Sequence, residues 1–269
     1  MPFLALEDQP TTVSAWFHAV QALDKHSKQA YNLIYSATDP GSLTDADKKV
    51  IKAFNKYALS NGLHSTDTVA NTIFPLDTYI SKGSAGLYDF YLEEVFPKVK
   101  KQWGTYFYRM ICRKNDDGSK MTRDGTALNP LILLIEKVAR RIAGTGKTKT
   151  HYELALDDPA LDLSTYDAHH DSEYQIGGPC LSHLSFKIES DGVLALTAFY
   201  RSHWYIGRAL GNLVGLARLQ RFVADQSGAK VGPLTIMASE AILDLSASGR
   251  PAATTRAMLA ECAGIYGLS

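Results

Sequence analysis

The strongest pattern along the chain is a pair of apolar runs separated by Asp191-Gly192. In the first run Leu184, Phe186 and Ile188 alternate with Ser185, Lys187 and Glu189, the period-two signature of a strand with one buried face. The second ends at Tyr200-Arg201-Ser202, and the Asp-Gly pair predicts a hairpin that folds Arg201 back towards Cys180. Helical spacing dominates elsewhere. Residues 12–60 read as helical, with Trp16, Val20 and Leu23 on one face and a break at Asp39-Pro40-Gly41; Thr44 then caps a helix whose stripe is Val50, Ile51, Phe54 and Leu59. Thr66 to Tyr79 mixes β-branched residues with Asn71 and Pro75 and predicts a loop with short extended pieces. Further helices are expected over Ala85–Lys101, Asn129–Arg141 and Ala252–Cys262, with strands over His151–Leu156 and Val231–Met237 and a short continuation over Glu240–Leu245. A central helix runs from Asn212 to Ala224, where Gly211 and Gly215 allow a close backbone approach.

Candidate chemistry gathers at the hairpin. A thiol beside a guanidinium sits in a field that favours thiolate, the nucleophilic form, so Cys180 is the candidate nucleophile. Arg201 and the Ser202 hydroxyl form a suitable fork for a phosphate. Gly144-Thr145-Gly146-Lys147-Thr148 suggests a phosphate loop, but that motif needs a glycine where this chain has Arg141, and a preceding strand rather than a helix. It reads as a helix cap and basic loop. His169-His170-Asp171 falls in a polar insert, Ala160–Ile176; adjacent histidines diverge in any regular element, so no metal is expected there.

Composition narrows the partners. Lysine plus arginine and aspartate plus glutamate both number 28, so no global field recruits nucleic acid or an anionic membrane, and phosphate recognition must be local. Cys112, Cys180 and Cys262 lie far apart without metal or redox spacing, and no signal peptide is read ahead of them; a reduced, cytoplasmic setting is expected. No apolar run approaches the roughly 20 residues that span a bilayer.

The ordered set Pro179-Cys180, hairpin, Arg201-Ser202, and Asn212 eleven residues past the arginine resembles the core of the thymidylate synthase and pyrimidine hydroxymethylase family, with one extra residue in the hairpin. The resemblance implies an α+β fold, a mixed sheet packed with helices, over residues 63–269, preceded by a helical accessory segment over 1–62. It implies that Cys180 adds to C6 of a pyrimidine nucleotide monophosphate, that Arg201 and Ser202 hold the 5′-phosphate, and that Asn212 reads the base, uridine favoured. By the same resemblance Glu94, or its neighbour Glu93, stands for the family's proton-relaying glutamate. Lys147 and Lys149, with Arg140 and Arg141, stand for the cations a homodimer shares across its interface. The implied one-carbon donor is 5,10-methylenetetrahydrofolate, and no metal is implied.

Three departures bear on function. Trp204 stands where the family has an aspartate that helps hold folate and base. Ala241 and Leu243 fall near the usual ribose-binding histidine and tyrosine, and neither can hydrogen-bond a hydroxyl. The family's long tail over the folate is not read after the terminal helix. Two functions follow: a transferase adding a methyl or hydroxymethyl unit to C5 of a pyrimidine nucleotide, or a nucleotide-binding protein or different pyrimidine enzyme that no longer uses folate.

Overall fold

The computed structural model describes residues 3–100, 105–113, 115, 119–123, 125–147, 150–156, 180–246 and 249–268. Its elements run β1 (Leu4–Ala5), α1 (Thr12–Lys25), β2 (Gln29–Ala37), α2 (Asp45–Ser60), α3 (Thr66–Ile73), α4 (Leu76–Phe90), a π-turn (Tyr91–Val95), α5 (Phe96–Val99) and α6 (Tyr106–Ile111). There follow β3 (Thr122–Arg123), β4 (Thr126–Ala127), α7 (Pro130–Ile142), β5 (Glu153–Ala155), β6 (Leu181–Ile188), β7 (Val193–Tyr200), β8 (His203–Trp204), a second π-turn (Tyr205–Ala209), α8 (Leu210–Ser227), β9 (Lys230–Ile242) and α9 (Ala252–Ile265). The fold is α+β, as expected. Its principal sheet is mixed, in the order β1-β2-β9-β7-β6-β5 with β8 also on β9; β7 runs parallel to β9, and β6 and β2 run antiparallel to their neighbours.

Cross-strand rows explain why the sheet holds. Leu184, Ala198, Ile236 and Tyr35 face one another across four strands, as do Phe186, Leu196, Leu234 and Ala37, and all eight are buried. Directly opposed apolar pairs are the stabilising unit of a sheet, and a one-residue slip would turn every one of them to solvent. Against this face α8 packs under β7 and β9, and α1 under β2. A register shift between Leu194 and Leu196 leaves carbonyls unserved, and the buried Gln220 amide of α8 donates to the carbonyls of Leu194 and Gly232, at 2.8 and 3.0 Å.

Two expectations are corrected. Residues 29–37 are a strand: Leu33, Tyr35 and Ala37 alternate inward, so the local period is two, and the first 62 residues contribute β1 and β2 to the common sheet. Thr66–Ile73 is a helix rather than a loop, capped by the Ser65 hydroxyl on the Thr68 amide at 3.2 Å, and α4 begins directly after Pro75, where a missing N–H costs nothing. Tertiary packing overrides the β-branched content of α3. A Cβ on Gly211 would lie 2.4 Å from Val69 Cβ and one on Gly215 2.7 Å from the Ala70 carbonyl oxygen, so α3 rests directly on the α8 backbone. That is the close approach the two glycines predict. The strand expected at Val231–Met237 is longer and continuous through Ile242.

Candidate active site at the open end of the hairpin

The hairpin forms as read. Asp191 and Gly192 close it with positive φ of 60° and 76°, the geometry that suits the right-handed twist of the flanking strands. At its open end the Arg201 backbone N–H donates to the Cys180 carbonyl at 2.9 Å, and the guanidinium reaches the thiol with a hydrogen bond. Arg201 and Ser202 leave the ladder between β7 and β8, which keep the same register on β9 before and after them. This frees Arg201 to face solvent while its backbone stays tied to Cys180.

The electrostatics differ from the sequence expectation. Burial pushes the Cys180 thiol above its usual range, and the opposing pull of Arg201 and then Arg208 does not cancel it. Desolvation of the half-buried sulfur outweighs both guanidinium fields, so the unliganded protein holds a thiol rather than a thiolate.

Arg208 is a residue the sequence reading missed. It lies on the π-turn Tyr205–Ala209, an insertion of the kind that marks functional helix starts. The turn is pinned from below. Asp244 accepts from the Ile206 and Gly207 amides at 2.7 and 3.0 Å and pairs with Arg250 at 3.1 Å, both side chains only 3% exposed. Trp16 Nε1 donates to the Tyr205 carbonyl at 2.7 Å. The buried Tyr106 of α6 stands beside Cys180 and Arg208, and burial raises its phenol above the usual tyrosine range.

Asn212 sits near the start of α8 and is 1% exposed. Its Nδ2 donates to His203 Nε2 at 3.1 Å, and the His203 ring stacks on Tyr200 with centroids 3.9 Å apart and planes 3° from parallel. Burial lowers His203 to a pKa of about 3, so it is neutral. Around it Asn212 Oδ1, His203 Nδ1 and the Tyr200 hydroxyl are buried without a hydrogen-bond partner. Such a cluster is unusual, because each unpaired buried polar group costs about 1–3 kcal/mol. The signal was present in the sequence as Arg-Ser-His followed by Asn, but nothing in the spacing says that the histidine turns in.

Glu94 is exposed on the π-turn Tyr91–Val95 and pairs with Lys98 at 3.4 Å, and Glu93 beside it is also exposed. Lys147 is exposed beyond the end of α7; Lys149, Pro179 and the His169-His170-Asp171 segment lie outside the described residues. Trp204 is 45% exposed, while Ala241, which pairs with His203, and Leu243 are buried. A cleft bordered by Arg141, Ile142, Asp191 and Lys230 opens at the turn of the hairpin, a strand length of roughly 25 Å from Cys180. Among the described residues no group of three acidic, histidine or cysteine side chains could hold a metal ion, and no helix is long and apolar enough to cross a membrane.

The chain is 32% identical over 108 residues to a protein of Methanopyrus kandleri provisionally named thymidylate synthase, a match covering 40% of this chain and 46% of that protein. Over that stretch the chain is similar in sequence to a protein named for thymidylate synthase. Similarly named proteins of Methanosarcina barkeri, 41% identical over 63 residues, and Methanothermobacter thermautotrophicus, 47% over 58, are matched over 23% and 22% of this chain and 29% and 26% of theirs. The chain thus spans less than half the length of these curated relatives in each match. No family model matches it. Among solved structures, the thermostable thymidylate synthase A from Bacillus subtilis superposes with a TM-score of 0.47 at 10% identity, covering 86% of this chain and 79% of the other.

Proposed function

We propose that this thymidylate synthase-like protein binds a pyrimidine nucleoside monophosphate, uridine type preferred, and acts as a one-carbon transferase at C5 through a Cys180 adduct. The observation that carries the reading is the joining of Cys180 to Arg201 at the open end of the hairpin, with Arg208 close by. Arg201 and Ser202 receive the 5′-phosphate, Asn212 meets the base edge, and Lys147 and Lys149 add positive charge from a neighbouring subunit. Glu94, exposed and paired with Lys98, is given no proton-transfer role.

Addition begins with loss of the Cys180 thiol proton to solvent water. The sulfur lone pair then forms a bond to C6, the C5–C6 π pair moves to C5 and is delocalised to O4, and C5 becomes nucleophilic. The two arginines supply the field that stabilises the thiolate against its burial. Methylenetetrahydrofolate, the donor implied by the resemblance, would supply carbon at the methylene level. The described residues do not fit it in the family's manner: Trp204 replaces the aspartate, and the one acid next to the π-turn, Asp244, is bound to Arg250 and two amides. No step is routed through it.

That misfit favours a second reading, a nucleotide-binding protein or an enzyme of different pyrimidine chemistry without folate. Release of hydrogen from C5-labelled UMP and dUMP, with and without methylenetetrahydrofolate, separates the two. Folate-dependent release supports the transferase; nucleotide binding without release supports the second reading.

A homodimer is part of the proposal. One face of the sheet carries Ser185, Thr197, Thr235 and Ser36 in one row and His183, Phe199, Met237 and Ile34 in the next. Thr197 is exposed, Ser36 is buried and the rest are half-buried. The helices that pack on the sheet cover the opposite face, so a second copy would complete the core sheet on sheet.

A further inference from the structure

Arg208 stands half-buried on the π-turn Tyr205–Ala209, roughly one turn before Asn212 on the same run of helix. Its guanidinium is close enough to Cys180 and to Tyr106 to interact electrostatically with both. The backbone below it is fixed: Asp244 binds the amides of Ile206 and Gly207, and a Cβ on Gly207 would sit 3.1 Å from Asp244 Oδ2, so the glycine lets the carboxylate come close. Asn212 is less accessible. Its Nδ2 is bound to His203 at 3.1 Å, its Oδ1 is buried and the residue is 1% exposed, so in the unliganded protein its carboxamide is not at a surface that a base can touch.

The geometry points to Arg208 as the residue that meets O4 of the pyrimidine and so makes the site prefer uracil. The inference rests on the nucleotide reading above and moves the first contact with the base edge from Asn212 to Arg208. With the phosphate on solvent-facing Arg201 and C6 against the Cys180 sulfur, the base points into the protein. C6 has N1, which carries the sugar, on one side and C5, with C4 and O4 beyond it, on the other. The half-buried guanidinium next to the sulfur is therefore on hand for O4. It carries donors and no acceptor, so turning it over changes nothing, whereas a carboxamide serves either base by turning. Uracil offers O4 as an acceptor; cytosine offers a 4-amino group there, and two donors then face each other unsatisfied. When the sulfur bonds to C6 and the C5–C6 π pair is delocalised to O4, the negative charge of the thiolate passes to that oxygen, and its bonds to Arg208 strengthen.

The experiment titrates the full chain with UMP and CMP by calorimetry, as wild type, Arg208→Lys and Arg208→Gln. The wild type is expected to prefer UMP by roughly 5- to 150-fold, the equivalent of one wrong buried pairing, and Arg208→Lys, still donor-only, to keep a preference in the same direction. Arg208→Gln, whose amide turns either edge to the base, should bring the ratio within about threefold. The wild-type ratio retained in Arg208→Gln, or no uracil preference in the wild type, overturns the assignment while the nucleotide site stands. A wild type that binds neither nucleotide removes the nucleotide reading and the assignment together. A second measurement does not depend on a variant folding: in nitrogen-15 spectra of arginine-labelled wild type, inorganic phosphate should shift the guanidinium signal of one arginine, and UMP should shift that signal and a second. A second signal that also answers to phosphate makes Arg208 a phosphate ligand, and UMP moving only the phosphate-responsive signal leaves O4 unread; either result overturns the proposal.

Discussion

The backbone amide of Arg201 donates to the carbonyl of Cys180 across the open end of the hairpin at 2.9 Å, so the register of β6 against β7 sets the distance between the thiol and its nearest cation. A 5-fluoro-pyrimidine nucleotide should form an adduct on Cys180, seen as a mass shift, and Cys180→Ser should bind nucleotide without forming it. Modification of Cys112 or Cys262 instead would remove covalent addition by Cys180. Burial outweighs the arginines, so iodoacetamide should react with Cys180 at a rate that climbs with pH through a midpoint above the usual cysteine range. Arg201→Gln should move that midpoint higher and slow the reaction near pH 8 by roughly three- to tenfold, less than a buried cation would because Arg201 faces water.

Asp244 and Arg250 form a buried pair that also holds the π-turn bearing Arg208. Arg250→Met strands a carboxylate among apolar neighbours and should cost about 3–5 kcal/mol in urea unfolding. Asp244→Asn keeps the volume but weakens the charge-assisted bonds to Ile206 and Gly207, and should loosen the turn. If both variants unfold like wild type, the pair does not anchor the site.

His203 gives the stability curve a definite slope. Its folded pKa is depressed to about 3 by burial, while the unfolded value is near the ordinary 6.5. Above pH 6.5 neither state binds the proton and the neutral ring costs nothing. Below it the unfolded chain takes up a proton that the folded chain refuses, so stability falls between about pH 6.5 and 3. The expected contribution is about 1.4 kcal/mol per pH unit once the unfolded group is fully charged. His203→Phe should flatten the curve between pH 6 and 4; an unchanged slope would show that other groups cause it.

The open sheet face predicts a dimer at micromolar concentration by light scattering. Thr197→Arg, exposed at the centre of that face and making no core contact, should yield a folded monomer. A wild type that scatters as a monomer removes the dimer and with it the role of Lys147 across the interface.

Much of the site was legible before folding, because local rules govern it. Asp191-Gly192 between alternating runs dictates a hairpin whatever surrounds it, and a hairpin fixes Cys180 beside Arg201. Asn129 as a cap with Pro130 behind it starts α7, and Gly211 and Gly215 mark where another backbone must approach. Other features depended on partners distant in sequence. Residues 29–37 are strand because β9 offers the matching edge, and Thr66–Ile73 are helix because α8 leaves a glycine groove for them. The state of Cys180 followed the same division: its neighbour Arg201 could be read from the turn, but the burial that outweighs the arginine arises only when helices close over the sheet. The pairing of His203 with Asn212 was out of reach for the same reason. They are nine positions apart, and the π-turn between them, anchored by Asp244, 32 positions beyond Asn212, accompanies the imidazole's turn inward to meet the amide.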